Sequence, residues 1–209
     1  MNSRTEKLEI AGPAGRLQAL RDQPEGPPAG TAVIAHPHPL FGGTMDNKVV
    51  QTLARAFVQC GWTAIRFNFR GVGASEGQFD EGRGEMQDLL AAVRELAGAG
   101  PLALAGFSFG SFVTIQALQE LWGAREIRHI VLVGTATARF AVPALPPEAH
   151  ERTLAIHGEV DDTVPLASVL DWARPQTLPV TVVPGVEHFF HGQLPLLKSL
   201  VVRHLRVQG

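Results

Sequence analysis

The sequence predicts an α/β fold in which a mainly parallel sheet carries helices on both faces. Three observations predict it. Short apolar runs recur at residues 32–35, 63–69, 102–106, 129–134, 153–157 and 180–183, with Val, Ile or Leu at most positions. Such runs are what strands buried on both faces look like. Longer stretches with helical character separate them, so strand and helix alternate about five times, the pattern of a covered parallel sheet. Polar residues also follow the apolar runs directly, and ligands of such sheets bind outside the carboxyl ends of the strands.

The first strands have a different origin. Residues 8–20 alternate weakly around Gly12, Pro13 and Gly15, which predicts an antiparallel hairpin at a sheet edge. Residues 22–30 form a Pro- and Gly-rich loop too polar to bury. Helices are expected at residues 47–60, 81–97, 108–121, 166–172 and 194–207. In the second of these, Met86, Leu89, Leu90, Val93 and Leu96 recur at three- and four-residue steps while Asp88, Arg94 and Glu95 take other positions.

With 209 residues, one domain spanning 1–209 is expected, and a chain of this length buries roughly 70% of its unfolded surface. The composition is 45% hydrophobic and 18% charged, which is globular. The net charge is -2 and basic residues form no patch, so nucleic acid is not an expected partner. Residues 1–10 are polar and lack the apolar core of a secretory signal, and no apolar run is long enough to span a membrane. A cytoplasmic location follows as the expectation. Cys60 is the one cysteine, so it has no intrachain disulfide partner, and it reads as a small core residue near a helix end.

The chemistry centres on Gly106-Phe107-Ser108-Phe109-Gly110. It follows an apolar run and opens a helix, which is the context a nucleophile elbow requires. Small residues are needed on both sides of Ser108, because a side chain at 106 or 110 would strike neighbouring backbone. The turn lifts the Ser108 hydroxyl above the sheet and aims the Phe109 N–H at the reacting carbonyl. A plain strand-to-helix turn with a capping serine is the bland alternative.

A serine nucleophile needs a base, and the base needs an orienting acid. The run at 153–157 is followed by Glu159, Asp161 and Asp162, and the run at 180–183 by His188 and His191. Asp161 or Asp162 is the candidate acid, with Glu159 weaker; Asp162 also suits an Asx turn or helix cap before Leu166. His188, directly after a turn, is the candidate base, and His191 the alternative. The order Ser, Asp, His is the one the elbow motif brings with it.

The loop after the first parallel strand, His36-Pro37-His38-Pro39-Leu40-Phe41-Gly42-Gly43, is expected to supply the second oxyanion N–H. Pro37 and Pro39 have none, so the donor is His38 or Leu40, with His38 preferred. His36 and His38 also invite a metal reading, but no third ligand or His-Glu-x-x-His motif accompanies them, so no metal or organic cofactor is expected.

Taken together, Gly42-Gly43-Thr44-Met45 with Asn47-Lys48 inside residues 36–49, Arg66-Phe-Asn68-Phe-Arg70-Gly71-Val-Gly73-Ala-Ser75-Glu-Gly77, the elbow, and His188-Phe-Phe-His191 are similar to the small bacterial dienelactone-hydrolase-like α/β-hydrolases. The similarity covers nearly all of the chain from Thr31 onward. It implies an α/β-hydrolase fold and places the catalytic roles on Ser108, Asp161 and His188; the choice of Asp161 over its neighbours rests on this resemblance. Dienelactone hydrolases proper carry a cysteine where this chain has Ser108, so the resemblance does not extend to dienelactone cleavage itself.

The expected activity is therefore hydrolysis of small ester or thioester bonds through an acyl-enzyme. A short-peptide serine peptidase and an inactive binding module with the same fold are the competing readings. The 18 residues between Gly134 and Thr153 are too few for a cap domain, so an open cleft without a lid is expected. Leu40, Phe41 and Phe189 are expected to contact the acyl group, as is Phe109, while Phe107 reads equally well as a core aromatic. Arg70 either helps shape the site or pins its loop by pairing with Glu81 or Glu85, the second role being the one expected. The expected partners are a small-molecule acyl substrate and at most a second copy of the chain in a homodimer.

Overall fold

A computed structural model describes residues 5–207. Residues 1–4, the start of the polar N-terminal stretch, lie outside it. The strands are β1 (Thr5–Gly12), β2 (Gly15–Asp22), β3 (Thr31–Ala35), β4 (Thr63–Phe67), β5 (Leu102–Phe107), β6 (Ile127–Val133), β7 (Thr153–Gly158) and β8 (Val180–Val183). The helices are α1 (Lys48–Gln59), α2 (Arg83–Leu96), α3 (Phe109–Leu121), α4 (Leu166–Ala173) and α5 (Leu194–Val207). The eight strands form one sheet in the order β1-β2-β4-β3-β5-β6-β7-β8. The β1–β2 hairpin lies at one edge, and β2 joins β4 antiparallel. Every pairing from β4 to β8 is parallel.

The central strands bury both faces, and their side chains alternate between two cores. Leu102 and Leu104 of β5 pack with α2 and α3, whereas Ala103, Ala105 and Phe107 pack with α1 and α5. The α2 stripe is where the periodicity puts it. Leu89 and Val93 are buried, and Met86, Leu90 and Leu96 pack against the same core. Cys60 caps the end of α1 and packs half-buried against the opposite core.

β4 stops two residues before its apolar run does. At Asn68 the backbone N–H still donates to the Gln18 carbonyl of β2 at 2.9 Å, while the side chain ties in a further segment: its Oδ1 accepts the Met45 N–H at 2.8 Å and its Nδ2 donates to Gln18 Oε1 at 2.9 Å. Between β6 and β7, residues 134–152 hold a 3₁₀ turn at Pro147–Arg152 and no cap domain. No helix of the described residues is long and apolar enough to cross a membrane.

Arg70 does not pair with Glu81 or Glu85. It reaches one turn further along α2 to Asp88, with Nη2–Oδ1 at 2.7 Å and Nε–Oδ2 at 3.0 Å. Glu85 is already occupied, accepting the N–H groups of Asp80 and Gly82 at the start of α2.

Candidate active site

Ser108 sits between β5 and α3 with φ 57° and ψ -119°. A non-glycine residue in that region costs of order 1–3 kcal/mol, so the surroundings must hold it there. They do: its N–H donates to the Val133 carbonyl at 2.8 Å, and Ser111 Oγ donates to the Gly106 carbonyl at 2.8 Å. The flanking glycines are sterically required. A Cβ at position 106 would lie 2.4 Å from the Gly110 backbone, and one at 110 would lie 2.3 Å from the Ala35 carbonyl oxygen.

The structure brings Ser108, His188 and Asp161 together from three strand ends. His188 Nε2 lies 3.0 Å from Ser108 Oγ, and its Nδ1 lies 2.6 Å from Asp161 Oδ2. All three residues are buried. The second carboxylate oxygen of Asp161 accepts the N–H groups of Thr163 (3.0 Å) and Val164 (2.7 Å). Asp161 thus makes the local turn that the sequence reading allotted to Asp162. Asp162 is exposed and bonded only to the Thr163 hydroxyl, and Pro165 precedes α4 without a side-chain cap. Glu159 is exposed and accepts the Gly185 N–H. His191 is exposed and pairs with Glu187 at 3.1 Å. None of these three stands beside Ser108.

His157, which the sequence reading passed over, lies behind the acid. It is fully buried, its Nε2 donates to the Val164 carbonyl at 2.9 Å, and it lies 3.5 Å from Asp161 Oδ2. Burial pushes its pKa down, which keeps the ring neutral.

The loop after β3 is held from both sides. His36 Nε2 accepts the Phe69 N–H at 3.0 Å, so the proton is on Nδ1, which donates to the Pro37 carbonyl at 2.6 Å. Burial lowers the His36 pKa to about 4, consistent with this neutral tautomer. The Pro37–His38 peptide is trans, so pulling the carbonyl one way turns the His38 N–H the other way. The His38 carbonyl accepts from Phe41 and Gly43, and the Leu40 N–H is spent on the His38 ring at 3.2 Å. Between His38 and Leu40, the loop N–H that remains free is that of His38. Gly43 packs directly on this loop, where a Cβ would lie 2.0 Å from the Pro37 carbonyl oxygen.

Residues 38–177 match the α/β hydrolase fold family. The chain belongs to the α/β-hydrolase family. It is 34% identical to an α/β serine hydrolase without a lid from Xanthomonas campestris, with 99% of this chain and 96% of that chain covered at a TM-score of 0.87. An α/β serine hydrolase homologue from Coxiella burnetii is 36% identical, covering 96% and 97% of the two chains at a TM-score of 0.84. An uncharacterized protein of Rickettsia prowazekii is 40% identical over 131 residues, 61% of this chain; the match spans about half (54%) of that relative's length.

The cleft of this α/β-hydrolase is open and has a volume of about 310 Å³, with Ser108 and His188 on its wall. Phe41 and Phe189 line it and are 72% and 41% exposed. Phe109 forms part of its floor, while Phe107 is fully buried and backs the His188 ring at 4.9 Å. Leu40 does not line this cleft. The 3₁₀ turn Pro39–Phe41 faces it into an adjoining groove, where it is 68% exposed. Ala136, Arg139 and Phe140 take part in the cleft instead. They follow β6, and the rule that sites lie after strand ends applies to them as it does to the other loops.

Proposed function

We propose that this α/β-hydrolase is a serine carboxylesterase or thioesterase acting on small acyl substrates through Ser108, His188 and Asp161. The observation that carries the reading is the unbroken line from Ser108 Oγ through both His188 nitrogens to Asp161 Oδ2. His188 takes the hydroxyl proton as Ser108 Oγ attacks the carbonyl carbon, and Asp161 holds the Nδ1–H tautomer and stabilises the imidazolium. The Phe109 and His38 N–H groups receive the oxyanion, each worth roughly 3–4 kcal/mol in the transition state. The His188 proton then goes to the departing alcohol or thiol. Water, deprotonated by His188, splits the acyl-enzyme and returns the acid and Ser108. Phe41, Phe109 and Phe189 give the acyl group an apolar wall.

Labelling with a fluorophosphonate tests the nucleophile. Wild type is expected to label and Ser108→Ala to lose the label. Turnover of p-nitrophenyl acetate and a short acyl thioester, set against a dipeptide amide, tests the bond class. Faster cleavage of the amide would favour a peptidase, and inertness of wild type in every arm would end the catalytic reading.

A further inference from the structure

We propose that Arg139 is a specificity residue of this cleft and that it selects ester or thioester substrates carrying a carboxylate on the acyl or the leaving group. The proposal rests on the hydrolase reading above and narrows its substrate class.

Arg139 and Ser108 line the same cleft, and no aspartate or glutamate lines it with them. Several arginines elsewhere are paired. Arg16, Arg66, Arg70, Arg128 and Arg174 each reach a carboxylate within 3.0 Å. Among the described residues, Arg139 has no carboxylate partner. Glu81, which shares the adjoining groove with it, pairs with Arg83 instead. Arg139 is exposed, so water meets its charge until an anionic ligand entering the cleft takes that place.

The guanidinium is also restrained. It lies over the Phe41 ring, 5.3 Å from the centroid. The backbone N–H of Arg139 donates to the Ala136 carbonyl at 3.3 Å, which fixes the turn after β6 from which the side chain projects. A guanidinium over a ring face keeps edge N–H groups available, and those can bind a carboxylate with two parallel hydrogen bonds. Phe41 and Phe140 line the cleft beside this exposed charge, so a ligand seated against them would shield the pair from water in part. The positive field reaches the oxyanion loop: burial, and then Arg139, lower the His38 pKa.

The test compares three chromogenic esters on wild type, Arg139→Gln and Arg139→Lys. These are neutral p-nitrophenyl butyrate, p-nitrophenyl hemiglutarate with its anion on the acyl side, and 3-carboxy-4-nitrophenyl acetate with its anion on the leaving group. Within each variant the readout is the ratio of anionic to neutral kcat/KM, which cancels any loss of folded enzyme. Arg139→Gln is expected to lower that ratio by about tenfold or more for one of the two anionic esters, chiefly through KM. Arg139→Lys should retain part of it, having the charge without the fork. The wild-type ratio should fall with added salt, and the Arg139→Gln ratio should not. Which ester responds locates the anion. An equal ratio in wild type and Arg139→Gln for both anionic esters, with turnover dependent on Ser108, overturns the proposal and leaves the hydrolase reading standing. Wild type that neither labels with fluorophosphonate nor cleaves any ester overturns both.

Discussion

The imidazole of His36 ties the end of β3 to the end of β4, accepting the Phe69 N–H on one nitrogen and donating to the Pro37 carbonyl from the other. That bridge orients the Pro37–His38 peptide, whose His38 N–H is the proposed second oxyanion donor. Replacing His36 by Leu keeps an apolar filling but leaves the Phe69 N–H buried without an acceptor. The expected result is a kcat loss of about 10- to 100-fold with little change in KM, since the oxyanion forms only in the transition state. Destabilisation of about 1–3 kcal/mol should accompany it. Steady-state ester hydrolysis and urea unfolding check the two parts. A KM effect alone would show that the loop only binds substrate.

The same ring makes stability depend on pH. In the folded chain His36 takes up its proton only near a pKa of about 4, against 6.5 ordinarily, because burial penalises the charged form. Between those values the unfolded chain binds a proton that the folded chain refuses. The contribution is therefore complete above pH 6.5 and is lost as pH falls toward 4, about 3 kcal/mol in all. His129, buried with its pKa lowered to about 4, acts in the same direction and window. Urea unfolding of wild type and His36→Asn at pH 7 and pH 4 should show a smaller drop for the variant. Equal drops would mean the ring is protonated in the folded state.

Asp161 and Asp162 are neighbours with opposite expected effects. Asp161 uses both oxygens, one on His188 and one on the turn amides, whereas Asp162 touches only the Thr163 hydroxyl. Asp161→Asn should keep the turn acceptor and present an amide to His188, favouring the wrong tautomer. A kcat loss of about 10⁴-fold is expected, and for Asp162→Asn less than about twofold. Ester turnover at matched concentrations of folded enzyme checks both.

The parts of this molecule legible in its sequence are those fixed by local rules. The parallel strands announce themselves because burial on both faces demands continuous apolar residues, and the elbow does so because backbone contacts exclude any Cβ at 106 and 110. Residues after strand ends were found as far as each loop advertised its chemistry. Arg139, the proposed specificity residue, gives no sequence signal because it stands alone in a loop without a motif. Leu40 was misplaced because a single 3₁₀ turn decides which groove it faces. The role of Asn68 at the end of β4 was hidden as well, since its side-chain partners, the Met45 N–H and Gln18 Oε1, lie on distant segments.

Arg70 and Asp88 give the test in which a pair, not a motif, decides. The Asp88 side chain is fully buried and accepts three hydrogen bonds from Arg70, one from its backbone N–H. Arg70→Ala strips the charge partner from a carboxylate with no access to water, so a loss of about 3–5 kcal/mol is expected. Asp88→Ala leaves the largely buried guanidinium alone and should cost a comparable amount. Once one partner is gone, removing the other relieves an unpaired buried charge. The double variant should therefore cost clearly less than the sum, with a coupling of about 2 kcal/mol or more from the cycle measured by urea unfolding. Additive losses would mean that the ion pair contributes nothing beyond packing, and that the loop from Arg70 to Gly77 is held by Ser75 and Glu76 against β2 instead.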